Sequence, residues 1–401
     1  MQTAIDPAFK NNDDIAEADE ILRSCVHCGF CTATCPTYQI LGSELDSPRG
    51  RIYLIKDLLE GKQATDKTRL HLDRCLTCRA CETTCPSGVR YGRLVDIGRN
   101  LIEAKVPRTF ADKMMRKVML EVLPNTWRLD IAMKAGRLIK PLLPAQLKNK
   151  LAQQKSAAAW PSTRHARRML VLEGCVQPLT APNTNAAAAR VLDKLGISLI
   201  SAAKAGCCGA INQHLSDGDA AKQRMRNNID AWWPYVEDGI EAIVITASGC
   251  GLMVKEYGQE LKNDPDYAGK AMHVSNLARD LSEVLRNEDL SEFALLGDGR
   301  KVAYHSSCTL QHGQKLSGAV ESILQQCGYT LTSVPDSHLC CGAAGTYTLL
   351  QPALSQQLLT NKLEALANGR PDVIATANVG CQMHLESQAE TPVKHWIELL
   401  E

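Results

Sequence analysis

Sixteen of the seventeen cysteines in this 401-residue chain stand at regular spacings, and two short runs contain eight of them. The first run consists of Cys25, Cys28, Cys31 and Cys35, the second consists of Cys75, Cys78, Cys81 and Cys85, and a proline follows each run. Three thiolates at every third residue can wrap one [4Fe–4S] cluster from a single tight loop. The two runs therefore predict two [4Fe–4S] clusters and an electron-carrying protein.

The fourth cysteine of each run is displaced by one residue, so it turns away from its own loop and can bind the other cluster. We therefore assign one cluster to Cys25, Cys28, Cys31 and Cys85, and the other to Cys75, Cys78, Cys81 and Cys35. This crossed pairing ties the two halves of the domain together, which makes the metal structural as well as redox-active. Two zinc sites are the alternative, but zinc ribbons use two cysteines per loop.

The bulk composition indicates a chain of two or three domains in a reducing compartment. A length of 401 residues is enough for several ordinary cores. Seventeen cysteines, in a chain that opens without an apolar signal segment, indicate thiolate ligands and not disulfides. No stretch approaches the roughly 18–20 apolar residues that a spanning helix needs, so we expect a soluble or peripheral cytoplasmic protein.

Residues 105–168 carry fifteen Lys or Arg against three Asp or Glu, although the whole chain has a net charge of +1. Apolar residues recur there at three- and four-residue intervals, which predicts amphipathic helices separated by Pro124, Pro141 and Pro144. Such a segment can lie on an anionic membrane or dock to an acidic partner, and a solvated connector is an equal alternative. The chain has four Phe and no basic motif interleaved with aromatics, so we expect no nucleic-acid binding.

The other eight regularly spaced cysteines form an internal repeat beyond residue 168. The first copy contains Cys175, Cys207, Cys208 and Cys250, and the second contains Cys308, Cys340, Cys341 and Cys381. Each copy has a Cys-Cys-Gly triplet and later a Gly-Cys pair, at nearly equal spacings. An internal duplication explains this pattern.

The residues before these cysteines predict where they lie. The segments RRMLVLEGC, EAIVITASGC, RKVAYHSSC and DVIATANVGC each indicate a short buried strand that ends before a cysteine. Helical segments alternate with strands in both copies, which predicts parallel sheets covered by helices. The cysteines would then lie at the carboxyl ends of strands, where open α/β sheets bind ligands. Buried structural cysteines are the alternative, which a duplicated set of four makes poor.

The two Cys…Cys-Cys-Gly…Gly-Cys copies resemble the cysteine-rich CCG domains of heterodisulfide-reductase-type subunits. The segments CVHCGFCTATCPTY at 25–38, LDSPRGRIYLIKDLLEG at 45–61 and LDRCLTCRACETTCPSGVRYGRLVD at 72–96 resemble the iron–sulfur subunits of glycolate oxidase. The resemblance implies an α-helical dicluster ferredoxin domain at 1–104, a basic helical connector at 105–168, and α/β CCG modules with parallel sheets at 169–298 and 299–401.

The resemblance also implies partners and a reaction. FAD-binding subunits oxidise a 2-hydroxy acid, glycolate, to glyoxylate, and this chain passes the electrons to a membrane acceptor such as quinone. It implies one or two further iron–sulfur clusters in the CCG modules and a peripheral position on the cytoplasmic face of the inner membrane. No residue of this chain is expected to contact the substrate, so we assign no catalytic residue.

The modules depart from the CCG pattern at one position. CCG domains often end in Cys-x-x-Cys, whereas the last positions here are Met253 and His384. His384 is a possible added ligand, and Met253 is a weak one. Three other histidines, His305, His312 and His338, flank the second module's cysteines and are candidates for tuning a cluster or moving a proton.

Two arginines and three alternative functions complete the prediction. Arg49 and Arg51, between the two cysteine runs, are candidates for binding a partner's carboxylates or raising a cluster potential, and ordinary exposed arginines are the alternative. The same subunit of a lactate or glycerol-3-phosphate dehydrogenase is the nearest alternative function. A catalytic disulfide-reducing subunit would favour the five-cysteine motif, and an iron–sulfur sensor would require a DNA-binding motif; the sequence contains neither.

Overall fold

The computed structural model of the chain describes residues 1–9, 11–139 and 155–401. They form two compact units. The first comprises Met1–Arg116 and His338–Lys362, and the second comprises Lys117–Ser337 and Leu363–Glu401. Each unit is described by itself below.

The first unit is helical. Its helices are Asp13–Ser24, Phe30–Ala33, Pro36–Leu41, Pro48–Leu59, Asp66–Asp73, Ala80–Thr84, Tyr91–Lys105, Tyr347–Leu350 and the start of Pro352–Ala367, with 3₁₀ turns at Pro7–Phe9 and Glu44–Asp46. Side chains cap three of these helices at their N-termini. Asn12, Ser47 and Thr65 each accept a hydrogen bond from a backbone N–H group in the first turn of the helix that follows. The longer helices bury apolar side chains in one core, and both cysteine runs pack against it. These side chains are Ile15, Leu22, Ile55, Leu59, Leu72, Leu94 and Ile102.

The second unit contains two four-stranded parallel sheets with the same topology. The strands are β1 (Arg167–Val171), β2 (Ile197–Ser201), β3 (Ile243–Ile245), β4 (Ala278–Asp280), β5 (Lys301–His305), β6 (Thr330–Leu331), β7 (Val373–Thr376) and β8 (Val393–His395). Their orders are β2-β1-β3-β4 and β6-β5-β7-β8. The predicted multi-domain fold, with a helical N-terminal region followed by duplicated parallel α/β modules, is confirmed.

Helices connect these strands and cover both faces of the sheets. They are Gln177–Thr180, Asn183–Lys194, Ala210–His214, Gly218–Glu237, Ser248–Lys255, Tyr257–Glu260, Ala268–Leu277, Leu281–Leu285, Ala319–Gln326, the end of Pro352–Ala367 and Val379–Glu386, with short 3₁₀ or π turns at Ser291–Phe293, Thr309–Gly313 and Trp396–Leu399. Alternate residues of β1 point to opposite faces: Met169 and Val171 join a core shared with the second sheet, whereas Leu170 packs in a separate core. Both faces are buried, as expected for a parallel sheet.

The basic segment begins with two helices, Phe110–Val122 and Thr126–Ile139, which lie on either side of Pro124 as predicted. Both carry large apolar side chains that are exposed to solvent: Phe110, Met114, Met115, Val118, Trp127, Ile131 and Leu138. Pro141 and Pro144, and the helices that we predicted beside them, lie outside the described residues. Among the described residues, none of the helices has the length and apolar character needed to cross a membrane.

Candidate iron–sulfur cluster sites

The two cysteine loops of the first unit share one backbone conformation. His27 and Thr77 occupy matching positions in the two runs, and both have positive φ, at 57° and 52°. Gly29 and Arg79 match in the same way, with φ of 82° and 58°, and each precedes a short helix. Residues other than glycine rarely adopt this left-handed conformation. The repeated strain marks both loops as shaped for function, because it persists where the surroundings require a particular backbone path.

The first loop lies over a cavity of about 430 Å³ that Cys25, Cys28, Cys31 and Cys85 line. Cys85 belongs to the second run, so this cavity brings together thiols from both runs. The rest of the wall is largely apolar and includes Val26, Ile52, Val89 and Tyr91. Cys28 is exposed, whereas Cys25 is buried. The first cavity is therefore open at one edge.

A second cavity of about 310 Å³ is lined by Cys75, Cys78, Cys81 and Cys35. Cys81 and Tyr91 border both cavities, which are therefore neighbours. Cys35, Cys75 and Cys81 are buried and Cys78 is half-buried, so the thiols of the second cavity are on the whole more buried than those of the first. Four convergent thiols are the donor set of a [4Fe–4S] cluster. The residues present in each cavity fit one such group.

Polar groups contact the sulfurs of the second cavity at three points. The Thr37 hydroxyl lies 3.3 Å from the Cys35 sulfur, and the Thr77 N–H donates to the Cys75 sulfur at 3.4 Å. The Tyr91 hydroxyl also donates to Cys75, at 3.7 Å. Hydrogen bonds to ligand sulfurs are one of the means by which proteins set cluster potentials. These contacts, which the cysteine spacing did not reveal, would act on the potential of a cluster bound in the second cavity.

Burial keeps two of these thiols, Cys31 and Cys81, protonated when they are not bound to metal. Burial raises the pKa of the Cys31 thiol to about 11, and the nearby Cys25 adds to the shift. The pKa of Cys81 is raised well above its ordinary range, first by burial and then by Cys78 and Cys75. Metal binds the thiolate, so assembly of a cluster on these residues would release the protons and would be favoured by rising pH.

The four cysteines of the first repeat meet in the second unit. Neighbouring pairs are within hydrogen-bonding reach: Cys175 with Cys207, Cys207 with Cys208, and Cys208 with Cys250. Hydrogen bonds from Cys175 and Cys208, and from the Gly209 N–H at 3.5 Å, lower the pKa of Cys207. Hydrogen bonding to Cys207 and burial raise the pKa of Cys175. The geometry is that of a four-thiol site in which Cys207 most readily becomes a thiolate.

Two residues that sequence reasoning missed hold the Cys207–Cys208 turn in place. The Asn228 amide donates to the Cys207 carbonyl oxygen at 3.0 Å and accepts from the Gly206 N–H at 2.8 Å. The Tyr257 hydroxyl donates to the Cys208 carbonyl oxygen at 2.9 Å and accepts from Asn228 at 3.0 Å. Both side chains are buried. Their positions, about 20 and 50 residues beyond the cysteines, follow no motif, so sequence spacing gave no signal.

The second repeat divides between the two units. In the second unit, Cys308 follows β5, Cys381 lies in the first turn of the Val379–Glu386 helix, and both are buried. A ring nitrogen of His305, which is 2% exposed, lies within 4.8 Å of the Cys381 sulfur. His384, the possible added ligand, is half-buried on the same helix as Cys381. Met253, its counterpart in the first repeat, packs in an apolar core.

Cys340 and Cys341 belong to the first unit, where they form the same turn as Cys207 and Cys208. The Gly342 N–H donates to the Cys340 sulfur at 3.4 Å, as Gly209 does in the first copy. Gly342 and Gly209 have φ of 89° and 94°, and a Cβ at Gly342 would lie 2.7 Å from the Ser355 carbonyl oxygen. The glycine of each triplet is required by backbone conformation, and at Gly342 also by this close approach.

Comparisons with known proteins match both halves of the chain. The family described as 4Fe-4S dicluster domain matches residues 21–89, and the cysteine-rich CCG domain family matches residues 169–255 and 302–386. The glycolate oxidase iron–sulfur subunit of Escherichia coli (strain K12) is 58% identical over 100% of this chain and 98% of its own length. A probable glycolate oxidase iron–sulfur subunit of Bacillus subtilis (strain 168) is 29% identical over 94% of this chain and 90% of its own. Lactate utilization protein A of Geobacillus thermodenitrificans (strain NG80-2) is 30% identical over 53% of this chain and 87% of its own.

Proposed function

The chain belongs to the family of glycolate oxidase iron–sulfur subunits, and we propose that it is the electron-transfer subunit of a flavin-dependent complex that oxidises glycolate. The pair of four-thiol cavities in the first unit is the observation that carries this proposal. The similarity to a glycolate oxidase subunit along the full chain supports it. We assign no catalytic residue, because the substrate is oxidised in the partner subunits.

The ligand sets that we propose follow the cavities and the repeats. The first unit holds two [4Fe–4S] clusters, one on Cys25, Cys28, Cys31 and Cys85 and one on Cys75, Cys78, Cys81 and Cys35. The modules hold one or two further clusters, on Cys175, Cys207, Cys208 and Cys250 and on Cys308, Cys340, Cys341 and Cys381, with His384 as a possible added ligand. When bound, such clusters accept and donate electrons one at a time. The chain's own residues fix the thiols, exclude water and adjust the charge around them.

The partners that we propose are FAD-bearing subunits and a quinone. Oxidation of glycolate to glyoxylate releases two electrons and two protons, and a flavin can take up both electrons and pass them on singly. A quinone that receives both electrons takes up two protons to become a quinol. A lactate dehydrogenase is the second candidate, and it is favoured by the lactate utilization relatives that match about half of the chain.

The domain organisation that we propose keeps the segments defined from the sequence. Residues 1–104 form the dicluster domain, 105–168 a connector, and 169–298 and 299–401 the two CCG modules. The family matches at 21–89, 169–255 and 302–386 lie inside three of these segments and support the division.

We also propose that the connector rests on the cytoplasmic face of the inner membrane. Phe110, Met114 and Val118 are 80%, 47% and 53% exposed, and they recur every four residues along one helix face. Trp127 and Ile131 follow the same spacing on the next helix, with 63% and 58% exposure. Apolar faces beside lysines are typical of helices that lie in a lipid interface. A solvated connector would be expected to expose polar side chains.

Isolation of the chain with its natural partners tests the electron-transfer proposal. We expect flavin subunits to copurify, and we expect the complex to reduce an artificial dye with glycolate faster than with lactate or glycerol 3-phosphate. Iron and labile sulfide should both be present, with two interacting [4Fe–4S] signals by EPR after reduction. Stoichiometric zinc without labile sulfide would overturn the proposal, and a preference for lactate would select the second candidate.

A triple variant, Phe110→Ser, Met114→Ser and Val118→Ser, tests the membrane contact. It should release the complex from anionic vesicles while dye-linked glycolate oxidation stays unchanged. The control is Leu295→Ser, because Leu295 is 88% exposed and lies outside the basic segment, so its loss should leave vesicle binding intact. Full retention of the triple variant on vesicles, with loss of the flavin subunits, would reassign the face to subunit docking.

A further inference from the structure

Two arginines of one helix turn differ completely in their surroundings. Arg49 borders the first cavity, its side chain is 35% exposed, and it pairs with the exposed Glu44 at 2.7 Å. Arg51 borders the second cavity and is 1% exposed. The sequence presents them as equivalent members of a Pro-Arg-Gly-Arg run at positions 48–51. The fold therefore gives the second cavity a buried positive charge and gives the first cavity one that water screens.

The contacts of Arg51 hold its guanidinium group beside the cysteines. Its Nε donates to the His71 carbonyl oxygen at 2.7 Å, and both terminal nitrogens donate to the Thr37 hydroxyl at 3.2 and 3.1 Å. That hydroxyl lies 3.3 Å from the Cys35 sulfur. A guanidinium group cannot lose its proton at any pH that proteins experience, so the charge is permanent.

The counter-ion of Arg51 is shared with other groups. Asp46 is also 1% exposed, and its nearest oxygen lies 3.5 Å from Arg51, which is long for an ion pair. The same carboxylate accepts from Arg74 at 3.1 Å and contacts the His71 ring at 3.0 Å. Asp46 therefore offsets the charge of Arg51 incompletely, and Asp46 does not line the cavity.

We propose that Arg51 is a positioning residue that raises the reduction potential of the cluster held by Cys35, Cys75, Cys78 and Cys81. The inference rests on the proposed function, because it requires that cluster. A [4Fe–4S] cluster gains one negative charge when it is reduced, and a fixed cation in a poorly solvated site favours that state. Arg49 exerts much less influence on the first cluster, because exposed charges are screened by water and salt.

Redox titration of the intact complex, followed by EPR, tests this proposal. Arg51→Gln should move the midpoint potential of the second cluster downward and leave that of the first nearly unchanged. Arg51→Lys keeps the positive charge, so its midpoint should lie closer to that of the wild type. Arg49→Gln is the matched control and should leave both midpoints where they are.

If Arg51→Gln fails to retain its cluster, a second variant tests the proposal, because its midpoint potential is expected to shift in the opposite direction. Asp46→Asn removes the partial counter-charge with little change in shape, so it should move the second midpoint upward. The proposal is overturned if Asp46→Asn moves that midpoint downward or not at all, or if Arg51→Gln retains full iron and sulfide with wild-type midpoints. Iron and sulfide content reports on the cluster itself, so failure of the proposed function remains distinguishable from failure of this inference.

Discussion

His395 should make the junction between the two modules sensitive to mild acid. It ends strand β8 and is 1% exposed. Its Nε2 donates to the Thr246 carbonyl oxygen at 2.9 Å, and its Nδ1 accepts from the Ile397 N–H at 3.3 Å. This arrangement requires a neutral ring, because a protonated ring has no acceptor for Ile397. Thr246 directly follows β3 and precedes the helix that carries Cys250, so the contact supports the first module's cysteine site.

The size of the stability loss in acid follows from the pKa of the His395 ring. Burial lowers the pKa of His395 from 6.5 to about 4, against the opposing hydrogen bond to Thr246. As the pH falls, His395 therefore becomes protonated near pH 6.5 in the unfolded chain but only near pH 4 in the folded chain. The neutral His395 ring contributes its full stability above pH 6.5. As the pH falls, the free energy of unfolding decreases by about 1.3 kcal/mol between pH 7.5 and 5.5, and by about 3 kcal/mol in total once the pH is below both pKa values.

Amide hydrogen exchange can measure this loss locally without unfolding the whole protein. We expect the opening free energy of peptides covering residues 243–246 and 393–397 to fall between pH 7.5 and 5.5, after correction for intrinsic exchange rates. In His395→Gln, which keeps a donor for Thr246 and cannot titrate, the fall should be smaller by about 1.3 kcal/mol. The Pro48–Leu59 helix serves as the internal control. Equal falls of the opening free energy in the wild type and in His395→Gln would refute the conclusion that the His395 ring stays neutral over this pH range.

Three further changes have defined outcomes. Burial raises the pKa of Asp280 to about 6, and a raised carboxyl pKa costs stability only where the group is ionised. Asp280→Asn should therefore stabilise the chain against denaturant by up to about 3 kcal/mol at pH 8 and by almost nothing below about pH 3. Cys85→Ser and Cys81→Ser should remove different EPR signals, because the two cysteines belong to different proposed clusters; loss of the same signal would contradict the crossed assignment. Gly50→Ala should lower the melting temperature although alanine is the better helix former, since its Cβ would lie 2.0 Å from the Glu44 carbonyl oxygen; a higher melting temperature would mean that this turn can move.

The sequence predicted the parts of the fold that rest on repetition and on apolar runs. Strands β1, β3, β5 and β7 end before the cysteines that the pattern indicated, because each contains a run of buried, mostly apolar residues. Strands β4 and β8 were missed. Each is three residues long with an exposed residue at its centre, Arg279 or Lys394. Such short edge strands are defined by pairing with β3 and β7, and that pairing is information which the local sequence does not contain.

The cysteines of the candidate sites could be predicted, whereas the residues that surround them could not. Ligand spacing reflects the geometry of a loop, which is local. Asn228 and Tyr257 reach the Cys207–Cys208 turn only through tertiary folding, and each is an ordinary residue of a buried helix face. Arg49 and Arg51 show the same limit. They lie two positions apart on one helix turn, so one side chain faces solvent and the other faces the core, and the sequence alone does not say which arginine faces inward.

The two modules have kept one framework while their sites have diverged. Both sheets have the same strand order, and in both Cys-Cys-Gly turns the glycine N–H donates to the sulfur of the first cysteine. Around this framework, three apolar residues of the first copy, Leu172, Leu179 and Met253, correspond to three histidines of the second: His305, His312 and His384. The substitutions fall three residues before the first cysteine, four after it and three after the last, so they cluster about the ligands. Imidazoles add donors, acceptors and metal-binding nitrogens that leucine and methionine lack. Duplication therefore preserved the positions of the thiols and changed the chemistry next to them, which is the pattern expected if the two proposed centres have different tasks.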